Sequence, residues 1–303
     1  MDLLSNIVSL LHPHDCVAAG IDAGGRWAVR FGQHAGLKCN AILKGQCWLR
    51  VEGCESRQLE AGDCVILPKG RPFLLSSCDA GFDENSATPY VPIAHGGTAT
   101  FGAGGEFFMT GSRFLLSGPA APLLLEALPP AVVVRRGPEQ EAVQWSLTRI
   151  ADELRQPRPG GALSIAHLSH FVFIQAMRRY LEEAPRDGGG WLSALADPAL
   201  SRAVAAMHES LSRSWTVQDL AAAAGMSRTA FATRFRRVTG QTPMAYLTRW
   251  RMLFAAAQLR DTEASVAEVA ETVGYTSESA FAVAFKREMS VPPRRYARKV
   301  GGS

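Results

Sequence analysis

The feature that most constrains this chain is a two-fold near-repeat in its last third. The first copy runs from Thr216 to Arg237 and the second from Ser265 to Arg287. Each opens on a Thr or Ser cap and continues as a short Ala-rich helix. Each then turns at a glycine followed by an apolar residue (Gly225-Met226, Gly274-Tyr275) and restarts at a second serine, Ser227 or Ser277. The closing helix carries phenylalanines four apart: Phe231 and Phe235, then Phe281 and Phe285. This is helix–turn–helix grammar. Close crossing of the helices asks for small residues such as Ala221 and Ala270, and the glycines suit a left-handed turn. The Phe pairs stack on one face and fill a small core. The opposite face is then free. In the first copy it carries Arg228, Thr229, Ala232, Thr233 and Arg236; in the second, Glu278, Ser279, Ala282, Val283 and Lys286. Arg and Thr can bond base edges or phosphates, Glu can accept from cytosine, and Ala or Val can pack on thymine methyls.

Spacing points the same way. Ser227 and Ser277 lie 50 residues apart. Between the copies, residues 243–260 read as a helix with Pro at its start, about 27 Å long at 1.5 Å per residue. That approaches the roughly 34 Å between successive major grooves on one face of a duplex. Charge agrees with a polyanion partner for this part only. Residues 197–303 hold 15 Lys and Arg against 9 Asp and Glu, whereas residues 1–196 hold 17 against 19. The alternative for such a segment is an all-helical interaction module whose Phe pairs are core and nothing more.

The remainder is an ordinary globular balance. With 303 residues, 47% of them hydrophobic and 20% charged, the chain suits two domains. It is not of a disordered, collagen-like or coiled-coil type. No apolar run reaches the roughly 18–20 residues of a membrane helix, and Met1–Asn6 lacks the basic flank of a signal peptide. A cytoplasmic protein with no membrane partner is expected.

Residues 27–31, 47–51, 64–67 and 107–116 read as strands, and the glycine-rich stretch 96–105 as a loop. Residues 139–155 and 163–183 have helical spacing, and Pro185–Gly190 reads as a linker. The fold class expected is α+β: an N-terminal β-barrel over 1–135, a helical linker and dimerisation segment over 136–196, and an all-α domain with two helix–turn–helix motifs over 197–303. All six cysteines fall in the first 78 residues with no C-x-x-C spacing. In a reducing compartment they are expected as small buried hydrophobes rather than a disulfide framework.

Residues of about 197–298 resemble the DNA-binding domain of AraC/XylS-type bacterial transcription regulators. The resemblance rests on Ala267–Ala270, Val273–Arg287, Val291–Tyr296 and Thr239–Pro243. It implies base contacts near Thr229, Ala232 and Thr233, and near Glu278, Ser279, Ala282 and Val283. Double-stranded promoter DNA is the implied partner, RNA polymerase a further one, and a homodimer the implied assembly. Residues 1–135 resemble the cupin-type ligand-binding domain of one AraC-like subgroup, on Asp15–Gly20, Trp27–Phe31, Leu59–Gly70 and Leu123–Val133.

Metal-dependent cupin enzymes carry a His-x-His motif and a second motif ending in a ligand His. Here Gly62, Pro68 and Gly70 keep the second frame, but its ligand position is Phe73, and residues 39–53 hold no His-x-His. No metal, cofactor or catalytic residue is therefore expected. A cupin-type enzyme with an accessory DNA tether remains the rival reading. His12-Pro13-His14-Asp15-Cys16 offers potential metal ligands, but a surface turn is the expected role. The barrel is expected to sense an unidentified small molecule or a redox signal. His34, His95, Trp27 and Trp48 are the candidate pocket residues, and Cys16 and Cys39 the candidate thiols, a sensing thiol needing a lowered pKa and exposure.

Overall fold

The computed structural model describes residues 3–79, 87–93, 97–135, 140–156, 158–183 and 190–300. The chain divides into two compact units. One comprises residues 13–117 and 124–180, the other residues 1–12, 118–123 and 181–303.

The first unit is built on two sheets. Its strands are β1 (Pro13–Gly24), β2 (Ala28–Phe31), β3 (Leu37–Lys44), β4 (Gln46–Val51), β5 (Arg57–Glu60), β6 (Cys64–Leu67), β7 (Phe73–Ser76), β8 (Thr88–Pro89), β9 (Thr98–Gly102), β10 (Phe107–Leu116) and β11 (Val132–Val134). One sheet has the order β11-β6-β3-β10-β1-β9 and the other β5-β4-β7-β2-β8. These are two separate sheets, so the expected barrel is an open one. Strand alternation explains the shared core. In β4 the buried residues are Cys47, Leu49 and Val51, and they meet Ile21, Ile42, Val65, Leu67 and Met109 of the other sheet.

The expected strands at 27–31, 47–51, 64–67 and 107–116 are present as β2, β4, β6 and β10. The stretch 96–105 is different. Residues 98–102 form β9, pairing parallel to β1 with Gly20 opposite Thr98. Thr98, Thr100 and Phe101 supply the β-favouring residues that the flanking glycines obscure.

The strand β10 is buried on both faces. Its outer residues meet helices α3 (Gln140–Arg155) and α4 (Gly161–Glu183). Arg155 lies 4.4 Å over the Phe108 ring, and Phe114 stacks on His170. The Ser112 and Ser169 hydroxyls are 2.8 Å apart. Ala18 packs with Ile150 and Leu154 beneath the same helices. All six cysteines are free, with Cys39, Cys47 and Cys64 buried.

The second unit is helical. It contains α1 (Leu3–Ser9), all of α5 to α12, and part of α2 (Ala121–Ala127). The later helices are α5 (Trp191–Ala196), α6 (Pro198–Glu209), α7 (Val217–Ala224), α8 (Arg228–Thr239), α9 (Pro243–Asp261), α10 (Val266–Thr272), α11 (Glu278–Met289) and α12 (Pro293–Val300). Ile7, Leu10 and Leu11 are buried, and His12 reaches Asp261 at 3.3 Å. The expected linker 185–190 lies outside the described residues except for Gly190. Among the described residues no helix is long and apolar enough to cross a membrane.

An aromatic cluster anchors this unit. The His208 ring sits 4.7 Å from Trp250, with Nε2 3.0 Å from the Tyr246 hydroxyl. Burial pushes the His208 pKa down from its usual 6.5 to about 3. The unfolded chain therefore binds the extra proton first as pH falls, and stability present above 6.5 is lost toward pH 3. Each pH unit in that window removes up to about 1.4 kcal/mol through this group. Acid unfolding followed by Trp fluorescence is expected to be less steep with pH in His208→Gln; an unchanged slope would refute this assignment.

Candidate nucleic-acid interface and effector pocket

The two helix–turn–helix copies are built alike from local rules. Thr216 caps α7 and Ser265 caps α10, each in a reciprocal capping box, with Asp219 and Glu268 respectively. Ser227 and Ser277 accept hydrogen bonds from the Ala230 and Ala280 amides at the starts of α8 and α11. Gly225 (φ 69°) and Gly274 (φ 81°) take the left-handed conformation between the helices. Space constrains them unequally. A Cβ on Gly274 would lie 2.4 Å from the Ser212 carbonyl oxygen, whereas one on Gly225 would meet only the Arg202 side chain at 3.3 Å.

Phe231, Phe235, Phe281 and Phe285 have no exposed surface. Each such burial is worth roughly 1.5–3 kcal/mol. The faces opposite them are open. Arg228, Thr229, Thr233 and Arg236 of α8 are exposed and Ala232 is half-buried. On α11, Glu278, Ser279 and Lys286 are exposed, Ala282 is half-buried, and Val283 is 71% exposed. The strut α9 has 19 residues, about 28 Å at the helical rise.

Several charged groups are committed elsewhere. Arg234 makes two hydrogen bonds to buried Asp197, the cap of α6, at 2.9 and 2.7 Å. Desolvation pushes Asp197 up, but the Leu200 and Ala199 amides and Arg234 outweigh it and hold the carboxyl below its usual range. Glu278 accepts from Arg294 of α12 at 2.9 Å, so its carboxylate is already engaged. The α12 arginines Arg294, Arg295 and Arg298 are exposed and were not singled out from sequence, although their crowding after Pro292-Pro293 was a readable signal. Helix α8 holds four arginines and no carboxylate, whereas α11 sets Lys286 and Arg287 against Glu278 and Glu288.

A second feature lies between the sheets of the first unit: a pocket of about 470 Å³. Its wall on the larger sheet is three cross-strand rungs. Val17, Arg113 and Lys38 form the first; Ala19, Gly111 and Asn40 the second; Ile21 and Met109 the third, which Ile42 continues into the core. Small residues in the middle rung leave the space. Across from them stand Phe31, stacked with Tyr90 at 4.7 Å, and His34. Burial, and next the Arg113 charge, lower the Lys38 pKa to about 8. Burial, with Lys38 second, lowers His34 to about 4.

Of the sensor residues read from sequence, His34 lines this pocket. Trp27 is core, 4.9 Å from Phe107. Trp48 lies half-buried on the outer side of its sheet, and His95 is outside the described residues. Cys16 and Cys39 sit toward α4, away from the pocket. Burial raises Cys16 to about 11 against the hydrogen bond of Ser169, and raises Cys39 well above its usual value. Both are thiols rather than thiolates. Residues 12–16 do not form a plain surface turn: Pro13 to Cys16 begin β1, with positive φ at Asp15 and at His12 just before the strand. Phe73, where cupin enzymes place a ligand His, is buried and stacks on Phe31 at 4.3 Å.

Comparison with known proteins agrees with both halves. Residues 2–182 match a family model described as Cupin, and residues 220–299 one described as Helix-turn-helix domain. A Streptomyces lividans protein described as an AraC-like transcription regulator is 41% identical over 98% of both chains. The chain belongs to the AraC-like transcription regulators. A Streptomyces antibioticus protein of the same description is 42% identical over 98% of both chains. Among solved structures, the DNA-binding domain of AdpA, a global transcriptional factor in complex with a target DNA, is 37% identical over 34% of this chain and 92% of that one, with a TM-score of 0.33. This AraC-like regulator thus joins a cupin domain to a DNA-binding helix–turn–helix domain, and its relatives carry regulatory rather than enzymatic names.

The unequal glycines give a stability test. Gly225→Ala is expected to cost about 1–2 kcal/mol for its left-handed backbone alone. Gly274→Ala should cost more, because the Ser212 carbonyl must also move. Denaturant midpoints of the two variants check the order.

Proposed function

We propose that this regulator reads DNA with α8 and α11 set into neighbouring major grooves, and that the pocket between its sheets receives a small-molecule effector. The observation that carries the first part is the repeated exposure of one helix face opposite a fully buried Phe pair. Arg228 and Arg236 serve phosphates. Thr229, Ala232 and Thr233 face base edges, as do Ser279, Ala282 and Val283 on α11. Lys286 adds a phosphate contact, and Glu278 serves mainly to hold Arg294. Side chains able to form bidentate base contacts are scarce on these faces, so DNA shape contributes to specificity alongside direct readout.

For the signal, a ligand is favoured over thiol oxidation. Oxidation begins from a thiolate, and burial keeps Cys16 and Cys39 protonated near neutral pH. The middle helices are assigned to homodimerisation: Trp145 of α3 is 61% exposed and Leu163 of α4 64% exposed. A dimer would lengthen the DNA footprint and make occupancy steeply concentration-dependent. Contact with RNA polymerase from a promoter-bound dimer completes the reading.

Selection of bound duplexes from a random pool by the full-length protein should return a defined site, and failure to enrich any sequence would refute sequence-specific reading. On that site, Arg236→Ala is expected to weaken binding to selected and random DNA alike and to shallow the salt slope by about one unit. Thr233→Ala is expected to change the selected sequence instead. Equal losses on both DNAs for both variants would overturn these roles.

A further inference from the structure

The pocket's wall is chemically graded in a way that names its occupant. Lys38 and Arg113 are directly opposed across β3 and β10. Like charges in that position repel. Among the described residues neither has a carboxylate partner, and no carboxylate lines the pocket. The Lys38 ammonium lies instead over the rings of Phe31 and Phe73, at 4.8 and 4.9 Å. One rung deeper, Asn40 is 4% exposed and its Nδ2 has no hydrogen-bond partner. A buried amide donor left unmade is costly. Deeper still, the wall becomes Ile21 and Met109.

We propose that this pocket binds an organic monocarboxylate with an apolar body, its carboxylate held by Lys38, Arg113 and Asn40 and its body against the third rung. The proposal rests on the reading of this pocket as the effector site, and it names the effector's chemistry. Three features combine to select it. Two opposed cations with no carboxylate partner among the described residues favour an anion. A single amide donor beside them suits the two oxygens of a carboxylate better than the heavily hydrated oxygens of phosphate. The apolar depth requires a hydrophobic remainder, and a volume of about 470 Å³ is within the range of small-molecule sites. Gly111 belongs to the design, since a Cβ there would lie 2.6 Å from Asn40 Oδ1.

The test uses the full chain without DNA, so its outcome is independent of how α8 and α11 read a duplex. Thermal midpoints and calorimetric titrations are measured with octanoate and 3-phenylpropionate, with their uncharged amides, and with inorganic phosphate at matched ionic strength. The carboxylates are expected to stabilise saturably, and the amides and phosphate to give no saturable shift. Lys38→Met and Arg113→Met should each weaken carboxylate binding about tenfold or more, with ligand-free midpoints at or above wild type because the repulsion is gone. Gly111→Ala, which displaces the Asn40 amide, should weaken it without altering either cation. Stabilisation by octanamide equal to that by octanoate would overturn the anion while leaving an effector pocket. Carboxylate affinity that survives both Met variants, phosphate outcompeting the carboxylates, or no carboxylate binding at millimolar concentration would overturn it equally. Ligand-free midpoints far below wild type in both Met variants would show that the cations are kept for structure, and would also overturn it.

Discussion

Burial of one phenylalanine pair beneath each recognition helix is the constraint on which the DNA-reading half depends. Phe231 with Phe235, and Phe281 with Phe285, sit four residues apart on one helical face, with ring centroids 5.5 Å apart in each pair. Once that face is committed to a core, helical periodicity leaves Thr229 and Thr233, or Ser279 and Val283, on the other side. Caps and left-handed glycines then fix where each helix begins and how it leaves its neighbour. The strut α9 packs against both copies: Tyr246 meets Phe235 at 5.5 Å, while Met252, Ala255 and Ala256 join the second core. The two readers are thus built separately and joined through one continuous helix.

The sheet unit obeys a different logic. There the partners of each side chain are set by cross-strand register, not by neighbours along the chain. The run from Lys38 and Arg113 through Asn40 and Gly111 to Ile42 and Met109 is one face of one strand pair. Its inner end merges with the apolar core, and its outer end bears charge. The opposite face of β10 is sealed by α3 and α4, toward which Cys16, Cys39 and the Ser112 hydroxyl are turned.

This difference decides what could be read from the sequence. The helix–turn–helix copies were legible because their signals lie within about twenty residues of one another: caps, glycine turns and Phe spacing. The strand positions β2, β4, β6 and β10 were legible from alternation and flanking turns. The pocket was not, because Lys38 and Arg113 meet only through pairing of distant strands, and nothing local marks either as uncompensated. The strand β9 was hidden by glycines whose neighbours pair with β1. Likewise, Arg234 and Glu278 look alike in sequence to any exposed charge; only the tertiary structure commits them to Asp197 and Arg294.

The uneven charge of the two recognition helices has a consequence for how the molecule approaches DNA. Helix α8 presents Arg228, Arg236 and Arg237 outward after Arg234 is neutralised, whereas the second motif spreads its basic groups over Lys286 and Arg287 of α11 and the exposed Arg295 and Arg298 of α12, with Arg294 paired to Glu278. Long-range attraction to a polyanion would therefore act on both motifs, through one helix in the first and through two in the second. On the proposed reading the two motifs differ, so a single protomer would lie on the double helix with a fixed heading, and a site for it need have no mirror half.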